Sequence, residues 1–217
     1  MRKLFIPIIT AALLIGVSSC GDQKKDTHTT KKDHVTKVDT KKVISNGFSY
    51  NNDSTKVSWE AYKTTAKKGV KGHFTEFEII GTKDGTSPQE VFKNASFVIQ
   101  TSSVNTGLEL RDYRIVNNFF KIFVNTSTIT GKVKSISDNT ATLEISLNDM
   151  TKDVEMAVVS NGNDFALDGN IDLGLFNGQS AVDSLNYVCK DVHAGADGIT
   201  KLWPDVAIKV STVLLAR

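Results

Sequence analysis

The sequence is short of the residues and motifs that carry most enzyme chemistry. It contains no G-x-S-x-G, H-E-x-x-H or C-x-x-C motif and no phosphate-binding loop. Its only cysteines are Cys20 and Cys189. If Cys20 carries a lipid, no intrachain disulfide can form, so stability must come from a buried core. We therefore expect a protein that is not an enzyme.

Net charge is also nearly absent. The chain of 217 residues has 26 Lys and Arg against 24 Asp and Glu. Arg2 and Lys3 belong to a predicted signal peptide, and removing them leaves 24 basic against 24 acidic residues. Because the mature chain has no basic field, we expect neither nucleic acid nor an anionic membrane surface as an electrostatic partner.

The N-terminus has the pattern of a bacterial lipoprotein signal. Two basic residues precede an apolar run from Leu4 to Val17, and small residues lead to Cys20. We expect residues 1–19 to be cleaved and Cys20 to be acylated, which would anchor the protein to a membrane of the cell envelope. The domain would then face the periplasm or the cell surface. Two alternatives are a secretory signal with an incidental cysteine and an uncleaved anchor.

A polar tether occupies residues 20–45. Lys, Asp, Thr and His dominate it, so it cannot bury enough apolar surface to fold. His28 and His34 lie in this tether, where solvated side chains are a simpler interpretation than metal ligands. Residues 46–217 have a length suited to one domain with a single core.

Most of this domain alternates between apolar and polar side chains, which is typical of β-strands. Val57, Trp59 and Ala61 share one face of the first strand. The apolar positions change phase after residue 74, and a bulge near Thr75 and Glu76 would account for the change. Further strands are predicted over residues 95–102, 127–136, 141–147, 154–161, 165–173 and 203–215.

Three helical segments interrupt the strands. Each has a capping motif at or near its start, in which Ser or Thr is followed three residues later by an acidic residue, at Ser87, Thr106 and Ser180. The longest precedes the last strand, and we expect it to lie outside the sheet. The predicted ranges are about 87–93, 107–117 and 176–191.

Together these elements predict an all-β fold, an eight-stranded antiparallel β-barrel with short helices and one longer helical insertion. Eight strands enclose an interior that holds either side chains or one small ligand. An open and a filled interior are both compatible with the sequence.

Four segments follow one known pattern. They are the strand around Trp59 and Ala61; Val70-Lys71-Gly72-His73-Phe74; the run Ser103-Val104-Asn105-Thr106-Gly107 with Arg111-Asp112 and Asn118-Phe119-Phe120; and Asn148-Asp149-Met150-Thr151-Lys152-Asp153-Val154. These segments resemble the YceI-like family of bacterial lipocalin-like proteins, here in a lipid-anchored variant. One departure is that no proline follows Phe120 closely. The resemblance spans about residues 54 to 217 and implies a lipocalin-like barrel that binds a polyisoprenoid or similar lipid.

Candidate ligand contacts follow from the resemblance and the strand pattern. The apolar candidates would enclose a chain, and Arg111 would meet a carbonyl or phosphate of the head group. In the alternative interpretation, the aromatic residues are ordinary core, and Arg111 and Asp112 tie the second helix to neighbouring strand ends. The candidates are Trp59, Phe74, Phe77, Phe97, Ile99, Arg111, Phe119 and Phe120.

We therefore expect non-catalytic binding, sequestration or transport of an apolar chain lipid, with no cofactor or metal. The resemblance implies an isoprenoid quinone or polyprenyl lipid, and the composition alone allows a fatty acid or fatty amide. One alternative is a surface lipoprotein whose filled barrel acts as an interaction or scaffold module. Another is an enzyme that uses Cys189 and His193, whose spacing places a thiol and an imidazole on one helix face. Packing is the simpler role for both, and His73 is expected to face solvent.

Overall fold

Twelve strands and four α-helices form residues 47–217, the part of the chain that the computed structural model describes. The predicted signal peptide 1–19, the attachment residue Cys20, the tether 20–45 with its two histidines, and residue 46 lie outside the described residues. Among the residues that are described, no helix has the length and apolar character needed to cross a bilayer.

The elements agree with the predicted succession of strands and helices. The strands are β1 (Phe48–Ser49), β2 (Lys56–Lys63), β3 (Lys68–Phe74), β4 (Phe77–Ile80), β5 (Ser96–Gln100), β6 (Val104–Asn105), β7 (Thr128–Ile136), β8 (Thr140–Leu147), β9 (Met150–Asn161), β10 (Asp164–Asp172), β11 (Leu202–Val213) and β12 (Leu215–Ala216). The helices are α1 (Pro88–Phe92), α2 (Glu109–Asn118), α3 (Gln179–Val188) and α4 (Lys190–His193).

Ten strands form one curled antiparallel sheet in the order β4-β5-β7-β8-β9-β10-β11-β2-β3-β6. β3 and β4 lie near opposite ends of this order, yet only Thr75 and Glu76 separate them in the chain. The chain itself therefore links the two ends of the sheet. With β3 and β4 counted as one interrupted strand, and the two-residue β6 left aside, the sheet has the eight strands that the sequence predicts.

The predicted irregularity at Thr75 and Glu76 is present as the break between β3 and β4. The Thr75 backbone N–H donates to the carbonyl of Ser103 at 3.0 Å, and that of Glu76 donates to Ser103 Oγ at 3.0 Å. The two amides thus bond to the Ser103 loop while the strand changes partners from β2 to β5. The apolar side chains change phase at this point, as predicted.

The helix starts show which capping motifs form. Ser87 Oγ accepts from the backbone N–H of Glu90 at 3.3 Å, which confirms the first predicted cap. The capping box at Thr106 is wrong, because Thr106 bonds to Asp112 and α2 begins at Glu109. The cap at Ser180 is also wrong, since Gly178 occupies the cap position of α3.

The third helical segment divides at Cys189 into α3 and α4. It lies outside the sheet, as expected. Its contact with the interior was not predicted: Val182 of α3 is only 2 % exposed and packs in the core. The hydrophobic stripe of this helix therefore covers one end of the curled sheet.

Aromatic rings close the other end. The rings of Phe92 and Phe165 stack with centroids 4.9 Å apart, and Tyr50 meets Phe92 edge-on at 5.7 Å. α1 brings Phe92 into this cluster and buries it. The domain therefore has an aromatic end near α1 and a helical end beneath α2 and α3.

Candidate functional site

Strands β2 and β11 form the wall that runs through the interior from end to end. The residues Val57, Trp59 and Ala61 of β2 pair with Val210, Ile208 and Val206 of β11. Because alternate residues of a strand face the same side, these six line the interior together. From Val57 to Lys63 the strand advances about 20 Å at roughly 3.3 Å per residue.

Three adjoining cavities follow this wall. The inner cavity, of about 120 Å³, begins at Val57 and ends against Tyr50, Phe92 and Phe165. Five of the candidates named from the sequence line it: Trp59, Phe74, Phe77, Phe97 and Ile99.

The middle cavity, of about 130 Å³, lies between the sheet and the helices. Four aromatic rings from the sequence candidates line it: Trp59, Phe74, Phe119 and Phe120. Phe120 lies 5.0 Å from Phe119 and 6.0 Å from Phe74 between centroids. The middle cavity shares with the inner one the lining residues Trp59, Phe74, Ile129, Ile171 and Ile208.

The mouth cavity, of about 430 Å³, opens beneath α2 and α3. Unlike the two inner cavities it has charged lining residues, among them Lys63, Arg111 and Arg114. It shares with the middle cavity the residues Trp59, Ala61, Ile115, Leu185 and Leu202. The lining along β2 therefore changes from uncharged and mainly apolar to basic as it reaches the surface.

All eight candidate contact residues lie on this path. The seven apolar ones line the inner or middle cavity, and Arg111 lines the mouth. Trp59 lines all three cavities. The interior is neither a wide tunnel nor completely filled, because side chains leave two narrow apolar spaces within it.

Trp59 has a feature that the sequence does not reveal. Its Nε1 is buried and has no hydrogen-bond partner within the described chain. The indole lies over Gly72 of β3, where a Cβ atom would overlap the ring. A buried donor without an acceptor costs about 1–3 kcal/mol, so a ligand oxygen at this position would be stabilised.

Two mouth residues were missed by the sequence reasoning, although the sequence carried a signal for each. Lys63 continues the inward alternation of residues 57, 59 and 61 to the end of β2. Arg114 is three residues after Arg111, so both side chains lie on one face of α2. Charged side chains on strands and helices are usually solvated, so neither signal by itself distinguishes a cavity lining from an exposed face.

Asp112 has a structural role instead of a ligand contact. Its Oδ1 accepts from both the backbone N–H and the hydroxyl of Thr106. This ties α2 to the end of β6, as the alternative interpretation of the Arg111 and Asp112 pair suggested. Within residues 47–217 no ion pair joins Arg111 to Asp112.

Cys189 and His193 are both buried and line the mouth cavity. The Nδ1 atom of His193 forms a hydrogen bond of 3.0 Å with Oδ1 of Asn186. Burial lowers the pKa of His193 to about 4, and the positive charges of Lys63 and Arg114 add to the shift. The imidazole is therefore neutral at pH 7. The described residues contain no group of three His, Cys, Asp or Glu side chains that could hold a metal ion.

His73 lies in an outer groove. It follows the inward-facing Gly72 on β3, so its ring is on the opposite face of the sheet beside Ser58 and Glu60. It is half-buried there and has no access to the three cavities. This placement agrees with the expectation that His73 faces outward.

Comparisons with known proteins agree with this fold. The profile of the YceI-like domain matches residues 48–214. No protein of curated function matches the chain. A polyisoprenoid binding domain from Saccharophagus degradans, implicated in plant cell wall breakdown, has a similar structure with a TM-score of 0.53 and 13% identity. That similarity covers 79% of this chain and 99% of the other.

Two further solved structures are similar to this chain. BcnA of Burkholderia cenocepacia has 18% identity and a TM-score of 0.48, and the match covers 76% of this chain and 98% of BcnA. The YCEI protein of Campylobacter jejuni has 20% identity and a TM-score of 0.49, with 69% of this chain and 86% of that chain covered. Since the domain profile extends over most of the sequence, the chain belongs to the YceI-like family.

Proposed function

We propose that this protein binds an apolar chain lipid inside its curled sheet and catalyses no reaction. The observation that carries the proposal is the succession of cavities along β2, apolar from Val57 to Ala61 and basic at Lys63. Such a gradient suits a molecule with a hydrocarbon tail and a polar head. The polyisoprenoid-binding description of the structural relative from Saccharophagus degradans supports an isoprenoid as the tail.

The volumes of the cavities limit the size of the ligand that the interior can hold without rearrangement of its side chains. The inner and middle cavities, about 120 and 130 Å³, are each close to the ~150 Å³ of an engineered apolar cavity that binds benzene. Each therefore suits one group of isoprene size. A third unit would lie in the mouth, and a longer chain would require the rings of Phe74 and Trp59 to move.

The energetics favour a lipid that uses both the interior and the mouth. Burial of one CH₂ contributes about 0.8 kcal/mol, so a five-carbon isoprene unit contributes about 4 kcal/mol. Association costs about 4–15 kcal/mol in lost freedom. Two buried units therefore only offset this cost, and contacts of the head group or of a third unit are needed for stable binding.

A second candidate function is that of an interaction module with a filled interior. The observation that favours it is the narrowness of the two inner cavities between buried aromatic rings. Organic extraction of the protein purified from its native membrane, followed by mass spectrometry, separates the two functions. The lipid-binding proposal requires an approximately stoichiometric apolar lipid, whereas the second function requires none.

We also propose that Cys20 is acylated and holds the domain at a membrane of the cell envelope. The lipoprotein pattern of residues 1–20 supports this location. Incorporation of radiolabelled palmitate into the wild-type protein, and its loss in Cys20→Ser, would test the anchor.

A further inference from the structure

The mouth cavity gathers three positive charges from two elements. Arg111 and Arg114 point from one face of α2, and Lys63 ends the inward row of β2. All three residues are half-buried. The point where the apolar path reaches the surface is thus also a concentration of positive charge.

These charges have no acidic partners among the described residues. The six ion pairs found in residues 47–217 include none of the three. Lys63 Nζ donates to the carbonyl of Val192 at 2.7 Å, which satisfies one N–H but leaves the charge uncompensated. The only carboxylate in the lining is that of Glu109, whose residue is exposed at the first turn of α2.

Lysines on the outer face of the sheet provide a contrast. Lys132 and Lys209 pair with Glu144 and Asp168 on adjacent strands at 3.0 and 3.1 Å. Lys134 of β7 pairs with Asp153 of β9, across the intervening β8, at 2.8 Å. Each of these three exposed charges is compensated by a carboxylate. The three basic residues of the mouth cavity have no such partner within residues 47–217 and lie together on one cavity.

The three charges also act on their neighbours. Burial lowers the pKa of Lys63, and the positive charges of Lys68 and Arg111 lower it further, against an opposing contribution from Cys189. The neutral state of His193, beside Lys63 and Arg114, agrees with a positive field in the same cavity. An anion bound there would relieve the mutual repulsion of these groups.

We infer that the mouth binds an oxyanion head group, a carboxylate or a phosphate, of the lipid whose tail occupies the interior. The inference rests on the proposed function, since it assigns the head of that same ligand. Arg111 and Arg114 suit either anion because a guanidinium offers paired N–H donors to two oxygens at once. A neutral head such as a quinone would leave all three charges uncompensated.

The test uses ligands that share one tail and differ only in the head. Farnesyl phosphate, farnesoic acid, farnesol and farnesylamine are titrated into the delipidated mature chain, with inorganic phosphate as a further arm, and binding is measured by calorimetry. We expect at least one of the two anionic ligands to bind tenfold or more tightly than farnesol, and farnesylamine to bind most weakly. The anion that binds more tightly identifies the head as phosphate or carboxylate.

Substitutions in the mouth cavity test whether its basic residues cause the preference for anionic head groups. The double variant Arg111→Gln/Arg114→Gln and the single variant Lys63→Gln should lose the preference for anions while still binding farnesol, which also shows that they fold. Lys134→Gln, which removes a paired lysine from the outer face, should retain the full preference.

Each of the other outcomes overturns a different statement. Equal affinity for charged and neutral heads contradicts the oxyanion inference and leaves the proposed function intact. Inorganic phosphate binding as tightly as farnesyl phosphate contradicts the assignment to a lipid head, because the tail would then contribute nothing. Absence of binding by every farnesyl compound overturns the proposed function together with the inference.

Discussion

Asp112 Oδ1 accepts from the backbone N–H of Thr106 at 2.8 Å and from its hydroxyl at 2.6 Å. These two bonds join the first turn of α2 to the end of β6 across the left-handed Gly107, whose φ is 77°. They also fix the rotation of α2 about its axis. The face that carries Arg111 and Arg114 is thereby directed at the mouth cavity.

Asp112→Ala should lower the free energy of unfolding by about 1–3 kcal/mol, because a half-buried N–H and hydroxyl lose a charged acceptor. Urea denaturation measures the change. Asp183→Ala is the matched control, since Asp183 is exposed and accepts only from Gln179 of its own helix. An equally large loss in the control would show that Asp112 has no special role.

Gly72→Ala should be destabilising and should alter the interior, because the added Cβ overlaps the rigid indole of Trp59. We expect a loss of about 1–3 kcal/mol in unfolding free energy. Gly69→Ala in the same strand is the control. Its Cβ meets only the end of the flexible Glu60 side chain, so its stability should change little. Equal losses of unfolding free energy in the two variants, measured by urea denaturation, would contradict the close contact between Gly72 and the Trp59 indole.

Ala61→Phe should block the path between the mouth and the middle cavity, because Ala61 lines both. We expect lipid affinity to fall tenfold or more, while the free energy of unfolding changes by no more than about 1–3 kcal/mol. The control is Ala157→Phe, which places the same ring on an exposed position of β9. Unchanged lipid affinity in Ala61→Phe would mean that the ligand does not pass this point.

His193 should make stability depend on pH. Its folded pKa of about 4 lies below the ordinary value of 6.5, so the unfolded chain binds its proton first as the pH falls. The contribution is fully present above pH 6.5 and is lost between pH 6.5 and pH 4, by about 1–3 kcal/mol.

Urea denaturation of the wild-type protein and of His193→Gln at several pH values measures this contribution. It is the difference between the two proteins in how their unfolding free energy changes with pH. His193→Gln should show a shallower fall in stability over the same interval, because its side chain does not titrate while all other groups remain. Curves of equal slope for the two proteins would contradict the buried, neutral state of His193.

Local pattern in the sequence was sufficient to predict the wall of the interior. The alternation of Val57, Trp59 and Ala61 and the phase change at Thr75 and Glu76 depend on neighbouring residues alone, and both appear in the fold. The cap at Ser87 is equally local. The cap at Thr106 failed because Asp112, six residues later, competes for the same hydroxyl.

Features that depend on packing between distant segments could not be predicted. The periodicity of α3 indicated a buried face but not that Val182 and Leu185 would close one end of the sheet. The basic mouth requires α2 to lie beside the end of β2, which no single segment encodes. The volumes of the two inner cavities likewise depend on how rings from many strands interlock.

The most direct test of the central claim is a crystal structure of the protein with farnesyl phosphate bound. The account predicts continuous density for the tail beside Trp59 and Ala61, extending into the inner cavity towards Val57, with the phosphate at Lys63, Arg111 and Arg114. Density confined to the outer groove beside His73, or both inner cavities empty in a crystal saturated with ligand, would contradict it.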